Sequence, residues 1–207
     1  MTFLRVLVEG SSDVPIVREV LTRRFSLREG EHFLVHPHQG KGKRPAQPNK
    51  VPDPKRRGLL DQLPAKLRAW AKEAAGFDMS VIVLVDADDE DCIALKEYLR
   101  SLRPAPPKTL YRIAVEELES WFLADEGAIS AAFLRARLQR LPRGEPDRVI
   151  GAWEALARVL DVDARTVTGA DKARWAEEIA RHLNLDDPPS PSFRVFVSGV
   201  GNLIGET

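Results

Sequence analysis

The sequence predicts an α/β fold with a four-stranded, largely parallel sheet, helices on both of its faces, and a helical C-terminal extension. Strand-like and helix-like segments alternate through the first part of the chain, as they do in parallel sheets joined by right-handed crossovers. The most apolar run, MSVIVLV at 79–85, is typical of a central strand that helices cover on both faces. We therefore place an α/β core at 1–125 and a helical extension, packed on that core, at 126–207.

The elements of the first half follow from hydrophobic spacing and turn residues. An apolar, β-branched segment predicts a strand at 3–8, and the Gly-Ser-Ser-Asp turn at 10–13 precedes a helix that continues to Phe25. A second short strand is predicted at 33–38. A helix follows at 59–75, where leucines and a tryptophan recur on one face.

The second half begins with the apolar strand, which stops at Asp86. A helix is predicted at 91–102, a proline-rich break and a fourth strand at 109–115 follow, and another helix is predicted at 116–124. Beyond this point strand patterns cease, and helical patterns occupy the extension at 128–141, 149–160 and 171–183. The pattern does not assign the last element, at 192–204.

Composition excludes several classes of protein. The 207 residues include 31 basic and 31 acidic residues, and 43% are hydrophobic, which is unlike a disordered or fibrous chain. The only cysteine, Cys92, allows no intrachain disulfide and gives no sign of secretion. The N-terminal apolar run is cut by Arg5 and stopped by Glu9, so it is too short for a signal peptide or a membrane span. We expect a cytoplasmic protein.

The zero net charge conceals two segments of opposite sign. Residues 41–57 contain seven basic residues, one acidic residue and four prolines, which predicts an extended basic loop. Residues 86–91 read DADDED, with five acids in six positions. This contrast favours a metal site beside an anion-binding loop over a surface that coats nucleic acid uniformly.

Acidic residues follow three of the predicted strands. Glu9 follows the first, Asp86 and Asp88 follow the third, and three glutamates that include Glu119 follow the fourth. Ligands of open α/β sheets bind at the carboxyl ends of the strands, so these side chains are expected to converge there. Converging carboxylates repel one another unless a cation or protons neutralise them. Carboxylate oxygens suit Mg²⁺ or Mn²⁺, whereas cysteine and histidine ligands for zinc are too few.

The order and spacing of these acids resemble the Toprim domain of topoisomerases, bacterial primases and the overcoming-lysogenization-defect nucleases. The segments VEGSSD at 8–13, VIVLVDADDEDC at 81–92 and EELESWFLAD at 116–125 are similar to a Toprim-like bacterial family of unknown function. Lys172-Ala173 and Ser192-Phe193 also resemble its C-terminal part, so the resemblance covers nearly the whole chain. Its members are often thought to partner ATPases in phage defence.

The resemblance implies a role for each acid. Glu9 would be the Toprim glutamate, a metal ligand or general acid–base, and Asp86 and Asp88 would be the metal-binding aspartates. Glu119 would be a further catalytic acid, because Glu119-Ser120-Trp121 matches the family's Glu-x-Trp pattern. The implied activity is Mg²⁺- or Mn²⁺-dependent cleavage of nucleic acid, DNA rather than RNA, with a partner ATPase.

Basic residues near the start of the loop are the candidates for phosphate binding. Lys41, Lys43 and Arg44 lie in a glycine-containing stretch directly after the second strand, from which they can reach the same edge of the sheet. Positive side chains there would offset charge that develops during phosphoryl transfer and would hold the nucleic-acid backbone.

Alternatives from other classes remain open at this point. The acids could be a solvated helix start, since Asp and Glu favour helix N-termini, and the protein a non-catalytic interaction module for nucleic acid or protein. A nucleotide-sugar transferase with an Asp-x-Asp motif has no further support. Topoisomerase and primase activities are disfavoured, because a separate domain with a tyrosine nucleophile and a zinc ribbon are both missing. His36 and His38 share a strand face but lack partners for a metal role.

Overall fold

The computed structural model describes residues 2–205 and contains one four-stranded sheet. The strands are β1 (Phe3–Val8), β2 (Phe33–Pro37), β3 (Met79–Asp86) and β4 (Thr109–Ala114), all parallel and in the order β2-β1-β3-β4. The predicted fold class is confirmed. From β1 the chain moves outward to β2, and from β3 it moves in the opposite direction to β4. The switch point of the sheet therefore lies between β1 and β3, where ligands of open α/β sheets bind.

Eight α-helices lie within the described residues, and none of them is long and apolar enough to span a membrane. They are α1 (Val14–Glu19), which continues as a π-helical turn at Val20–Arg24, α2 (Leu59–Glu73), α3 (Cys92–Ser101), α4 (Glu119–Leu123), α5 (Glu126–Ala132), α6 (Ala152–Val159), α7 (Gly169–Ala180) and α8 (Pro191–Ile204). Short 3₁₀ turns occupy Leu138–Arg140, Pro146–Arg148 and Ala164–Thr166.

The sheet separates two hydrophobic cores. Because successive side chains of a strand point to opposite faces, Val6 of β1 contributes to one core and Leu7 to the other. The core around Leu7 contains the apolar faces of α2 and α3. The core around Val6 is larger and contains α1 together with α4 to α8. The helices of the C-terminal region thus complete one face of the α/β layer.

The helix predicted at 116–124 is shorter than expected. It begins at Glu119, because Glu116 adopts a left-handed conformation with φ of 60° and cannot continue a right-handed helix. Glu116 therefore lies before α4 and does not share a helix face with Glu119. The left-handed turn is fixed by tertiary structure: the carbonyl of Glu116 accepts a hydrogen bond from the amide of Asp88, 2.9 Å away.

The helix predicted at 128–141 is also wrong in its second half. Helix α5 ends at Ala132, and Phe133 adopts an extended conformation and packs against the larger core. The amide of Arg137 then donates to the carbonyl of Val159 at the end of α6, 2.6 Å away. Packing against a distant segment has overridden the helical pattern here. The other two helices predicted in the extension are present as α6 and α7 with shorter bounds.

The last element, which the pattern did not assign, is helix α8. Ser190 caps its start by accepting a hydrogen bond from the amide of Phe193, whose ring stacks on Trp121 with centroids 4.7 Å apart. The indole N–H of Trp121 also donates to Ser192 Oγ at 2.7 Å. The tryptophan of the Glu-Ser-Trp pattern therefore anchors α8 to α4, directly behind the carboxyl edge of the sheet.

Candidate functional site

Glu9 and Asp86 meet at the switch point of the sheet. Glu9 follows β1 directly, Asp86 is the last residue of β3, and Leu7 is paired with Val83 in these neighbouring strands. One carboxylate oxygen of Glu9, Oε1, accepts a hydrogen bond from the amide of Asp86 at 2.8 Å. The structure therefore brings together two of the acids that the sequence placed at the same edge.

Both carboxyl groups carry a strong electrostatic penalty. Burial, together with the charges of Asp13 and Asp88, raises the pKa of Glu9 to about 8, although the Asp86 amide and Lys41 act in the opposite direction. Burial also raises the pKa of Asp86 well above its ordinary value, with Glu9 as the strongest repelling neighbour. In the absence of a cation, this pair holds a proton more tightly than ordinary carboxylic acids do.

Asp88 lies beside this pair in a strained loop. Its φ is 51°, and the φ of Glu116, to which its amide donates a hydrogen bond, is 60°. A left-handed conformation costs roughly 1–2 kcal/mol for a residue with a β-carbon. Strained residues of this kind cluster at functional sites, where a particular backbone conformation is kept at a cost in stability. The Asp88 side chain is exposed and accepts a hydrogen bond from Lys41 Nζ at 2.9 Å.

The start of the basic loop reaches the same edge, as predicted. Lys41 Nζ also donates to the carbonyl of Ala87 at 2.8 Å and pairs with Glu90 at 3.0 Å. Gly42 and Gly58, near the two ends of the basic loop, lie in close contact. A β-carbon on Gly58 would lie only 2.3 Å from the α-carbon of Gly42. Only glycine permits this approach, and it fixes Lys41 against the loop after β3.

The other two basic candidates behave differently from Lys41. Arg44 forms an ion pair with Glu90, and its guanidinium carbon lies 4.8 Å from the ring centroid of Tyr98. Lys43 is exposed and makes no hydrogen bond or ion pair with any residue of the described chain. Lys43 is thus the most accessible of the three cations, whereas Lys41 and Arg44 already neutralise acids of the loop after β3.

Glu119, the first residue of α4, lies close to the Glu9–Asp86 pair. The amide of Leu118 donates to Asp86 Oδ1 at 3.1 Å, which holds the start of α4 against the end of β3. The pKa of Glu119 is raised to about 7, because the effect of burial outweighs that of the positive charge of Lys172. The structure therefore places Glu119 beside the acids of β1 and β3.

Two further residues belong to this site and were missed from the sequence. Asp13 is buried, accepts hydrogen bonds from the amide of Gly10 at 2.8 Å and the hydroxyl of Ser12 at 3.2 Å, and has a pKa raised by burial. It occupies the N-cap position of α1, but its side chain makes no cap hydrogen bond. Nothing in the local sequence distinguishes a residue of this site from an ordinary helix cap.

Lys172 is the second of these residues. It lies on α7, and its ammonium group is 4.0 Å from the ring centroid of the partly buried Trp153. Its charge acts on Asp13, Glu117 and Glu119, yet it forms no ion pair with the described residues. The Lys172-Ala173 match in the family resemblance was the available signal.

The donor atoms suit a hard divalent cation, because every one is a carboxylate oxygen. Nevertheless, between residues 2 and 205 no three or more His, Cys, Asp or Glu side chains are arranged to hold a metal ion. Each predicted ligand is engaged by a donor of the protein: Glu9 by the Asp86 amide, Asp86 by the Leu118 amide, and Asp88 by Lys41. A cation would have to displace Lys41 and draw the carboxylates together.

The fold and this cluster define an α/β protein with a carboxylate site at the switch point of a parallel sheet. The chain belongs to a family described as a domain of unknown function, DUF4276, whose model matches residues 8–201. Membership of a family of unknown function over nearly the whole chain was predicted from the sequence and is confirmed. Comparisons with curated proteins and with solved structures gave no match.

Proposed function

We propose that this protein is a Mg²⁺- or Mn²⁺-dependent phosphodiesterase of nucleic acid with a Toprim-like core. The main support is the pair of desolvated carboxyl groups of Glu9 and Asp86 at the switch point. The Glu9 carboxylate accepts a hydrogen bond from the backbone amide of Asp86 there. Asp88 and the basic loop lie beside them. By its resemblance, the protein acts on DNA in the cytoplasm with a partner ATPase, in defence against foreign DNA.

The charges of the site favour this activity. Glu9, Asp86 and Asp88 would hold the cation, which supplies Lewis acidity and an activated water when bound. Glu119 has a pKa of about 7, so it can hold or release a proton near neutral pH. Lys172 has an ammonium group without an ion-pair partner among residues 2–205 and can offset negative charge on a phosphate.

A cleavage assay tests the proposal. Supercoiled plasmid and single-stranded DNA are incubated with wild-type protein in Mn²⁺, Mg²⁺ or EDTA, and with the variants Asp88→Ala and Asp89→Ala. We expect cleavage only with metal, and a reduction of about 10–100-fold in Asp88→Ala, in the range seen when support for a metal site is lost. Asp89 is the matched control, because it is the adjacent exposed acid and makes no contact like that of Asp88 with Lys41. Equal cleavage by both variants, or cleavage in EDTA, contradicts the assignment.

Lys172→Gln tests the role of the ammonium group. Its loss should lower the cleavage rate by about 10²-fold, the effect of removing one group that stabilises transition-state charge. The affinity for Mn²⁺, measured by calorimetric titration, should not fall, because Lys172 repels a cation. Arg174→Gln is the control, since Arg174 lies on the same helix and pairs only with Asp171. A parallel loss of Mn²⁺ affinity in Lys172→Gln would show instead that Lys172 maintains the fold of the site.

One observation favours a second candidate, a non-catalytic interaction module. Lys41 already neutralises Asp88 and Glu90, and the acids between residues 2 and 205 do not form a preassembled ligand set. In such a module, protons and Lys41 would be the permanent counter-charges of the cluster. It predicts no heat of Mg²⁺ or Mn²⁺ binding at any accessible concentration, which separates it from the phosphodiesterase.

A further inference from the structure

A second group of polar side chains lies along the edge of the sheet, outside the carboxylate site. Arg5 of β1, His36 of β2 and Lys66 of α2 surround the ring of Trp70. His38 follows β2 and interacts electrostatically with His36 and Lys66. The Arg5 guanidinium carbon is 5.0 Å from the Trp70 centroid, and Lys66 Nζ is 5.7 Å from it. We call these four residues the donor cluster.

The donor cluster has too few acceptors for its donors. Nε2 of His36, Nε2 of His38 and Nε of Arg5 are buried atoms without a hydrogen-bond partner. Lys66 forms no hydrogen bond or ion pair with any residue in the described part of the chain. Among residues 2–205, the only carboxylate paired with the cluster is that of Glu73, which contacts the outer nitrogen of Arg5 at 2.7 Å.

Unsatisfied buried polar atoms are rare in native proteins, and a group of them requires a reason. Here Arg5 and Lys66 are cations that repel each other, and burial lowers the pKa values of His36 and His38. The Nδ1 atom of His38 donates to the carbonyl of Val8, so its Nε2 becomes a donor only when the ring takes up a second proton, which a bound anion would favour. Burial, together with the charges of Lys66 and Arg5, lowers the pKa of His36 to about 4. An anion would supply acceptors and relieve this repulsion in one step.

We propose that the donor cluster binds a phosphate group of the nucleic-acid backbone, next to the phosphate at the carboxylate site. This inference rests on the proposed function and adds a second contact for the same substrate. A phosphodiester is an acceptor-only anion, which matches a group of donors.

Continuity with the carboxylate site favours a backbone phosphate over an isolated anion. The Nδ1 atom of His38 lies 2.8 Å from the carbonyl of Val8, the residue before Glu9, so the cluster begins at the carboxyl edge. His36 is two residues further back, which is about 7 Å along a strand. On the other side, Gly40 donates to the carbonyl of Glu9 at 2.8 Å, and the basic loop follows. The cluster thus adjoins both the acids and the basic loop.

A binding assay without metal tests the inference independently of cleavage. Fluorescence anisotropy of a short labelled single-stranded oligonucleotide is measured in EDTA with wild type, Lys66→Gln, Lys66→Arg and Lys72→Gln. Lys72 is the matched control, because it is an exposed lysine of the same helix outside the cluster. We expect Lys66→Gln to weaken binding about 5–10-fold and to lower the slope of log K against log salt by about one, as expected for a lost phosphate contact. Lys66→Arg should restore both, and Lys72→Gln should resemble wild type.

The inference is overturned if Lys66→Gln and Lys72→Gln bind equally well, or if wild type does not bind the oligonucleotide. A different outcome is that inorganic phosphate stabilises wild type but not Lys66→Gln, while both bind the oligonucleotide equally well. That result would indicate a site for free phosphate and would also overturn the inference. The melting temperature of each variant establishes that it is folded. If the binding results hold but no metal supports cleavage, the donor cluster stands and the phosphodiesterase proposal fails.

Discussion

Asp86→Asn is expected to lower metal-dependent cleavage by about 10³-fold. A divalent cation contributes several kcal/mol to stabilising transition-state charge, and each 1.4 kcal/mol corresponds to a factor of about ten in rate. Asparagine supplies one neutral oxygen in place of the carboxylate that is positioned between Glu9 and the start of α4. Cleavage of plasmid DNA in Mn²⁺, measured as initial rates, checks this result.

The same substitution should raise the stability of the metal-free protein. The asparagine side-chain oxygen can still accept the hydrogen bond from the Leu118 amide, while the charge that repels Glu9 is removed. For a chain of this size we expect the melting temperature in EDTA to rise by about 2–4 °C for each kcal/mol gained. Asp89→Asn serves as the control and should change neither quantity. A variant that melts earlier and still cleaves would identify Asp86 as a structural residue.

Without metal, the protein is expected to lose stability as the pH rises from about 4.5 to about 8. The pKa of Glu9 is about 8 and that of Glu119 about 7 in the folded chain, against 4.5 for an ordinary glutamate. Between these values the folded state binds more protons than the unfolded state, so the free energy of unfolding falls with pH. Each such group contributes a slope of at most about 1.4 kcal/mol per pH unit.

Urea denaturation over this pH range, in EDTA and in saturating Mg²⁺, measures the effect. Mg²⁺ should remove most of the loss, because a bound cation stabilises the ionised carboxylates and holds them charged at low pH. Glu9→Gln should flatten the metal-free profile, since this side chain no longer titrates. Glu29→Gln is a control, because Glu29 pairs with Arg18 at the surface. A profile that rises with pH in EDTA would contradict the assigned protonation of the cluster.

The parallel sheet was predictable because the spacing of apolar residues and the alternation of strands and helices are local features of the sequence. The apolar run of β3 and the alternation of elements predicted a parallel sheet, and parallel strands end at a common edge. Glu9 and Asp86 follow two of these strands directly, so their convergence needed no knowledge of tertiary structure. The position of Lys41 directly after β2 similarly predicted that it would reach this edge, where it now contacts Asp88.

Contacts between distant segments decided the rest. The left-handed turn at Glu116 depends on a hydrogen bond from Asp88, and the end of α5 depends on packing against α6, so neither boundary was present in the local pattern. Lys172 reaches the acids only because α7 packs against the same face of the sheet as α1.

The carboxylates at the edge of the sheet could be identified from the sequence alone, because strand spacing and strand ends are properties of short segments. The cations and amides that face those carboxylates, and the buried atoms left without partners, such as Nε2 of His36, became visible only in the folded chain. Desolvation and charge pairing depend on every element packed around a group, and those elements are far apart along the chain.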